Sequence, residues 1–302
     1  MRLDLALAQR YGLPRRKARD AVRDGRVDVD GNTVDEPGRD VAEGAAVAYL
    51  PDRPPRRRVR TRLVVLAEGE DFIIVEKPAG LLTVPTAERE SETLLSRTLD
   101  YLHHRYRRRP YAGTVQRLDK ETSGALVFAR NRPAQAKLQR QFREHTIVRE
   151  YHAIVEGDVK SSGTFRAELS RDPDGRRRSV ARAPGAGRRA VTHYEVVERL
   201  GGATLVAVRL ETGRTHQIRI HFAAAGHPVL GDAVYRPPRM PPPPVDAPRQ
   251  MLHARLLGFA DPRTGRPVEA TSPLPEDFRE TLGRLRGLGR RQKKEPRKAR
   301  GS

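Results

Sequence analysis

The 302-residue sequence contains no cysteine, which excludes disulfides, thiolate zinc sites and cysteine nucleophiles. It holds no uninterrupted apolar run of about 18 residues, the length a helix needs to cross a bilayer. The opening Met1-Arg-Leu-Asp-Leu-Ala-Leu-Ala is too short and too soon charged for a secretory signal. Aromatic residues are few, at 5%, and hydrophobic residues reach 37%, a lean supply that still suffices for a packed core. Acidic residues are also in deficit: 38 Asp plus Glu face 59 Lys plus Arg, leaving a formal charge of +21. These features predict a cytoplasmic protein with no membrane association and a polyanionic partner. No recognition-helix motif or zinc module supports DNA, so RNA is the expected partner. The length allows about two domains, at roughly ~150 residues each.

Residues 1–50 read as a small module. Leu3, Leu7 and Ala8 share one helical face, Gly12-Leu-Pro14 interrupts it, and a second helix is expected over 14–24 with proline in its first turn. Val27-Asp-Val29-Asp-Gly31 alternates like a strand entering a turn, and a last strand over 45–50 closes the unit. The module is neutral, with nine basic and nine acidic residues, yet residues 15–26 carry six basic against two acidic. Arg16, Arg19 and Arg23 thus line one side of the second helix. A charged helix face is ordinarily just solvated, so this pattern alone does not make an RNA site.

Residues 51–62 are Pro- and Arg-rich and read as an extended linker. From 63 to 288, short β-rich runs (71–75, 125–129, 151–155, 192–197, 204–210) mix with helical stretches expected at 92–105 and 133–144. The strands do not alternate strictly with helices, which predicts an α+β fold with a mixed, largely antiparallel sheet and flanking helices. Residues 171–189 hold seven arginines and two aspartates, and 236–248 is a proline-dominated surface loop. Residues 289–302, with seven basic residues and one acid, read as a disordered basic tail.

Two segments carry chemistry. Thr114-Val-Gln-Arg-Leu-Asp-Lys-Glu-Thr-Ser-Gly124 sets one carboxylate, Asp119, between a basic residue and a Thr-Ser-Gly turn. Leu210-Glu-Thr-Gly-Arg-Thr-His-Gln-Ile-Arg-Ile-His221 supplies cationic side chains. An Asp in such a loop is most often a turn former. Arg219 lies in an alternating run, 217–221, read here as a strand on which Ile218 and Ile220 face one way and Arg219 the other. His216 and His221, five apart on that strand, would face opposite sides, which argues against a shared metal. Gly185-Ala-Gly-Arg-Arg-Ala190 satisfies a dinucleotide-binding string formally but lacks its strand–helix context.

Taken together, Arg117-Leu-Asp-Lys-Glu-Thr-Ser-Gly124 and Gly213-Arg-Thr-His-Gln-Ile-Arg219 resemble the signatures of RluA-type RNA pseudouridine synthases. Glu76-Lys-Pro-Ala-Gly80, Gly226-His-Pro-Val-Leu-Gly-Asp-Ala-Val-Tyr235 and Leu252-His-Ala254 match further family segments in order. Residues 1–50 resemble the S4 RNA-binding domain. The resemblance implies a cofactor- and metal-free isomerase, monomeric, that detaches uracil from ribose within RNA and rejoins it through carbon. It makes Asp119 the nucleophile, Arg219 its cationic partner and Tyr151 the aromatic beside the base. It implies RNA contacts at Arg16, Arg19, Arg23, Lys77, Gln116, Arg117 and Arg214. Gln116 departs from the family, which more often has His there at a position tied to handling the flipped base. An S4-like module on such a domain points to large-subunit ribosomal RNA, with transfer RNA as the alternative target.

The chemistry suits these residues. A carboxylate can trap positive charge at an anomeric carbon, as in glycosidases, and a guanidinium beside it offsets the desolvation that would neutralise it. Two other readings compete. A non-catalytic RNA-binding or ribosome-assembly factor could keep the scaffold, and a nucleoside glycosidase would need neither the S4-like module nor the basic loops.

Overall fold

Leu3 and Leu7 stand one helical turn apart on α1 (Leu3–Tyr11), and both are fully buried. The computed structural model describes residues 1–54, 63–86, 90, 92–106, 110–171, 178–181, 183 and 185–294, with side chains as far as 289. Two units make up the chain: Met1–Arg62 with Pro85–Thr93, and Leu63–Val84 with Leu94–Ser302.

In the first unit, Gly12 adopts the left-handed conformation that ends α1, and Pro14 opens α2 (Arg15–Arg23). Ala18 and Val22 of α2 pack on Leu3 and Leu7, and Val27 of β1 (Val27–Val29) completes the centre. Asp30 and Gly31 both have positive φ, 52° and 77°, the turn that joins β1 tightly to β2 (Asn32–Thr33). β3 (Val47–Tyr49) pairs antiparallel with the other edge of β1. Asp4 is buried, with Arg2 forked onto it and Arg19 Nε at 3.6 Å. Arg53, at the head of the expected linker, forks onto Asp28 with two contacts of 2.7 Å. Residues 55–62 lie outside the described residues.

The second unit is built on one sheet. Its strands are β4 (Val64–Glu68), β5 (Phe72–Lys77), β6 (Gly113–Thr114), β7 (Ser123–Ala129), β8 (Val148–Glu156), β9 (Gly163–Arg171), β10 (Arg178–Val180), β11 (Arg188–Arg199), β12 (Ala203–Leu210), β13 (Leu252–Ala260) and β14 (Pro267–Thr271). Spatial order is β10-β9-β11-β12-β8-β13-β7-β5-β4, with β14 added to β13 and β6 to β7. Among the described residues of this sheet, every strand pairing is antiparallel except β13 with β7, where His253 faces Ser123 and Ala254 faces Gly124. The two strands approach closely there: at φ 121°, a Cβ on Gly124 would lie 2.1 Å from the Ala254 carbonyl oxygen. This parallel junction sets the chain entering β7, which carries Asp119, beside the chain entering β13.

Alternation sends Ile73, Val75, Leu126, Phe128, Tyr151 and Val208 to one face. α3 (Leu94–Tyr106) and α5 (Gln217–Ala224) cover it through Leu94, Leu102, Ile218 and Phe222. The opposite face takes α4 (Arg132–Arg143) through Ala134 and Leu138, and α6 (Glu276–Lys294) through Phe278, Leu282 and Leu285. Asn131 caps α4 by accepting from the Ala134 amide at 2.8 Å. The α+β expectation holds.

Two expectations change. Residues 217–221 are helical: Gln217 to Phe222 are all buried, a continuous burial that alternation could not produce. Residues 289–294 continue α6 instead of starting a disordered tail, and 295–302 lie outside the described residues. The arginine-rich stretch 171–189 contains part of the β9–β10–β11 meander, with 172–177, 182 and 184 outside the described residues. The proline loop is irregular, as expected, but Val245 and Ala247 pack against the α6 core.

Candidate active site

Asp119 sits in the loop between β6 and β7, and Arg219 sits in the first turn of α5. The chain brings them together across 100 residues: Arg219 Nη1 donates to Asp119 Oδ2 at 3.2 Å. Arg219 is 5% exposed, whereas the Asp119 side chain keeps 25% of its surface open. The cation is therefore sunk beneath a carboxylate that solvent and substrate can reach.

Asp232 aims that cation. Arg219 donates Nε to Asp232 Oδ2 at 2.6 Å and Nη2 to Oδ1 at 2.8 Å, a two-pronged pairing. Asp232 Oδ1 also accepts from the Val234 and Tyr235 amides at 2.9 and 3.1 Å. Desolvation works against charge on Asp232, but the Arg219 hydrogen bonds and charge, with the two amides, hold its pKa below the usual carboxylate range. The Tyr235 ring lies 4.9 Å from the guanidinium carbon and closes its other side. With the Nε–Nη2 edge committed to Asp232, Nη1 is left directed at Asp119.

The Asp119 loop is held from Leu118 to Ser123. Thr83 Oγ1 donates to the Leu118 carbonyl and accepts from the Leu118 amide. The Thr122 amide closes a turn on the Asp119 carbonyl. Arg249 donates Nη1 to the Glu121 carbonyl and Nη2 to Ser123 Oγ, while Asp277 binds its other edge. Gln250 donates to Thr122 Oγ1 at 2.8 Å. Lys77 completes the set: its Nζ donates to the Pro78, Leu81 and Lys120 carbonyls at 3.0, 2.6 and 2.7 Å.

Lys77 therefore corrects an expectation. It is 0% exposed, and its three N–H groups are spent on carbonyls, so it offers nothing to a phosphate. Burial pushes its pKa down to about 7, with Glu121 and Asp119 opposing. Arg19 is partly diverted too, since it faces buried Asp4. Arg16 and Arg23 remain exposed on α2, and Arg117 is exposed beside the Asp119 loop. Gln116 and Arg214 are half-buried, and Arg214 Nε donates to the Arg189 carbonyl at 3.1 Å.

Tyr151 lies on the α5-covered face of β8, opposite Val208 of β12 and Ala254 of β13. Burial raises the pKa of its phenol, and Asp119 adds to the rise against Arg149, so the phenol is neutral at physiological pH. Two residues earlier on the same face, Arg149 Nη2 donates to the Leu210 and Glu211 carbonyls. It thereby ties the Tyr151 strand to the turn that starts α5. That turn is also locked by Gln217, which accepts from Thr212 Oγ1 and the Arg214 amide and donates to the Val191 carbonyl and Thr192 Oγ1.

Asp232, Tyr235, Arg249 and His216 were not singled out for the site by sequence. The first two lie in the Gly226–Tyr235 segment, which reads as structural. The one signal was an Asp directly after Gly231, in the first turn beyond an Arg-bearing element.

Residues 71–224 match the RNA pseudouridylate synthase family, and residues 1–47 match the S4 domain. The chain is 38% identical over 278 residues to ribosomal large subunit pseudouridine synthase D of Pseudomonas aeruginosa, covering 88% of this chain and 85% of that protein. It is 36% identical over 300 residues to the enzyme of the same name from Escherichia coli, covering 94% and 90%. The solved structure of human RNA pseudouridylate synthase domain containing 1 superposes with a TM-score of 0.56 at 26% identity, over 75% of this chain and 96% of that one. Human RNA pseudouridylate synthase domain containing 4 shares the fold, with a TM-score of 0.62 at 24% identity over 74% and 93%. Among the described residues, no helix is long and apolar enough to cross a membrane. The chain belongs to the RNA pseudouridylate synthase family, isomerases of uridine within RNA, and carries an S4 domain at its N-terminus.

Proposed function

We propose that this protein converts uridine to pseudouridine in large-subunit ribosomal RNA, with Asp119 as the nucleophile. The observation that carries this reading is the half-open Asp119 carboxylate held at 3.2 Å by a buried, doubly braced Arg219. The names of the relatives support the ribosomal target.

In the proposed reaction, the uridine is first turned out of its stack, which costs a few kcal/mol and is repaid by contacts in the site. An oxygen of Asp119 then bonds to the anomeric carbon of the ribose. The bond from that carbon to the ring nitrogen breaks, and its electron pair leaves with the uracil as an anion. The base rotates within the site beside the Tyr151 ring. Carbon 5 of uracil next bonds to the anomeric carbon, and the ester bond to Asp119 returns its electrons to the carboxylate. Carbon 5 loses its proton and the former glycosidic nitrogen gains one, so atoms and electrons balance. Arg219 stabilises the carboxylate on both sides of the ester, because it contacts the oxygen in either state. The raised phenol pKa of Tyr151 supports a stacking role over one as a base at neutral pH.

The module at residues 1–50, through Arg16 and Arg23, and Arg117 beside the loop are proposed to grip phosphates while the site acts on one nucleotide. Affinity should then fall by about 0.7 to 0.9 log units per log unit of salt for each phosphate neutralised. A rate assay tests the reading: ribosomal RNA carrying tritium at carbon 5 of its uracils releases label only when isomerised. Asp119→Asn should release none while binding RNA within about threefold of wild type. Turnover by that variant removes Asp119 as nucleophile.

A further inference from the structure

Arg219 engages one oxygen of Asp119. Among the described residues, the other oxygen, Oδ1, accepts no hydrogen bond. Nε2 of His216 stands 3.7 Å from it. That separation is beyond hydrogen-bond length but within strong electrostatic reach.

His216 is placed with care. It is one of three non-glycine residues with positive φ among the described residues, at 58°, immediately before α5. This conformation is uncommon outside glycine, and the fixed Thr212–Gln217 turn holds it. The conformation turns the imidazole back towards the Asp119 loop. Its other nitrogen, Nδ1, lies 2.8 Å from the Tyr235 hydroxyl, and the two rings meet edge-on at 5.5 Å. Burial holds the His216 pKa below the usual imidazole range. Asp119 and Asp232 oppose that, while Arg219 and Arg178 add to it. A neutral imidazole has one N–H, and its location decides what Asp119 meets.

Two arrangements exist. With the proton on Nδ1, a lone pair on Nε2 would face the Asp119 carboxylate and repel it. With the Tyr235 hydroxyl donating to Nδ1, the N–H sits on Nε2 and faces Oδ1 attractively. The carboxylate selects the second arrangement.

We propose that Tyr235 and His216 form a relay of fixed dipoles that sets the attacking oxygen of Asp119, with His216 as a positioning residue. The proposal rests on the reading of Asp119 as nucleophile. Arg219 holds Oδ2, and the His216 N–H holds the direction of Oδ1 without a full hydrogen bond that would tie up its lone pair. Oδ1 is then the oxygen that bonds to the anomeric carbon, and Oδ2 becomes the ester carbonyl beneath Arg219. When carbon 5 displaces the carboxylate, the same N–H stabilises the charge returning to Oδ1. No proton moves through the relay in either direction. Arg219 and His216 thus divide the two oxygens between them, which fixes the rotation of the carboxylate about its own bond.

The test uses the full chain and the tritiated ribosomal RNA above, with single-turnover rates at saturating enzyme, RNA affinity and urea midpoints measured in parallel. His216→Asn tolerates the left-handed backbone but is too short to reach Oδ1. Tyr235→Phe keeps the ring against Arg219 and removes only the hydroxyl. The relay predicts a fall of about tenfold or more for His216→Asn and about threefold to tenfold for Tyr235→Phe, with affinity within about twofold. It also predicts that the double variant is no slower than His216→Asn alone, because the hydroxyl acts only through the imidazole. A wild-type rate in His216→Asn, or losses that multiply in the double variant, overturns the relay. An equal loss of stability and affinity in both variants assigns them a merely structural role and overturns it too. If Asp119→Asn still turns over, the nucleophile reading falls instead, and that result is separately visible in the same assay.

Discussion

Replacing Asp232 with Asn removes one charge and one acceptor while preserving shape. In the native site its Oδ1 accepts from Arg219 Nη2 and from the Val234 and Tyr235 amides, and its Oδ2 accepts from Arg219 Nε at 2.6 Å. An asparagine oxygen at Oδ1 keeps the two amides and Nη2. Its NH2 group then points at the Nε–H, donor against donor. Arg219, 5% exposed, is left charged with Asp119 as its remaining anion. Removing one partner of a buried ion pair costs about 3–5 kcal/mol, and the retained amide bonds place this case near the lower end. With a urea m-value of about 2–3 kcal/mol/M for a domain of this size, the unfolding midpoint should drop by about 1 to 1.5 M. Freed from its brace, the guanidinium swings towards Asp119 and shifts the nucleophile. Displacement of about 1 Å at such a centre costs up to about a hundredfold in rate. Urea unfolding followed by circular dichroism and single-turnover tritium release measure both effects. An Asp232→Asn protein with the wild-type midpoint and rate would refute the idea that Asp232 aims Arg219.

Three further outcomes follow from the packing. Lys77→Met leaves the Pro78, Leu81 and Lys120 carbonyls without their shared donor, and urea unfolding should show a loss of about 3 kcal/mol. The salt dependence of RNA binding should stay unchanged in that variant; a shallower slope would restore Lys77 as a phosphate contact. Gly124→Ala forces a Cβ to within 2.1 Å of the Ala254 carbonyl and should disrupt the β7–β13 junction. A soluble Gly124→Ala protein with native thermal stability would contradict the described approach of the two strands. His221 and His253 are buried with pKa values pushed down from 6.5 to about 4. The unfolded chain binds their protons first, so their stabilising share is complete above pH 6.5 and is lost as pH falls towards 4. Each contributes a slope of about 1.4 kcal/mol per pH unit in that window. Thermal melts between pH 7 and 4.5 should show the decline, and His221→Asn should flatten it; identical slopes in the two proteins would exclude His221 as a source.

The parts of this molecule legible in sequence are those set by short-range pattern. The β-rich runs at 71–75, 125–129 and 204–210 predict β5, β7 and β12, and the helical stretch at 133–144 predicts α4. Residues 217–221 read as a strand in sequence because Ile218, Arg219 and Ile220 alternate. The deciding fact, that β9, β10 and β11 pack on this helix and bury Gln217 to Phe222, is tertiary. Asp119 and Arg219 were identified by family resemblance, since nothing local requires residues 100 apart to meet. Asp232 escaped because an Asp after Gly usually serves a turn, and here it serves a turn and a guanidinium together. Lys77 was misjudged because a lysine before Pro-Ala-Gly reads as a surface cation. Only the loop folding over it supplies three carbonyls in the interior. Residues 289–302 read as disordered from their charge, yet Phe278, Leu282 and Leu285 anchor the helix that 289–294 extend.

On the proposed reading, Asp119 makes this protein an isomerase of uridine in large-subunit ribosomal RNA. The most direct measurement maps pseudouridine at single-nucleotide resolution in RNA from cells lacking the protein, after incubation with the purified wild type or with Asp119→Asn. New pseudouridine at discrete positions of large-subunit ribosomal RNA, made by the wild type and absent with Asp119→Asn, is the predicted result. Sites confined to transfer RNA would move the target, and no new site in either RNA despite salt-sensitive binding would remove the isomerase reading.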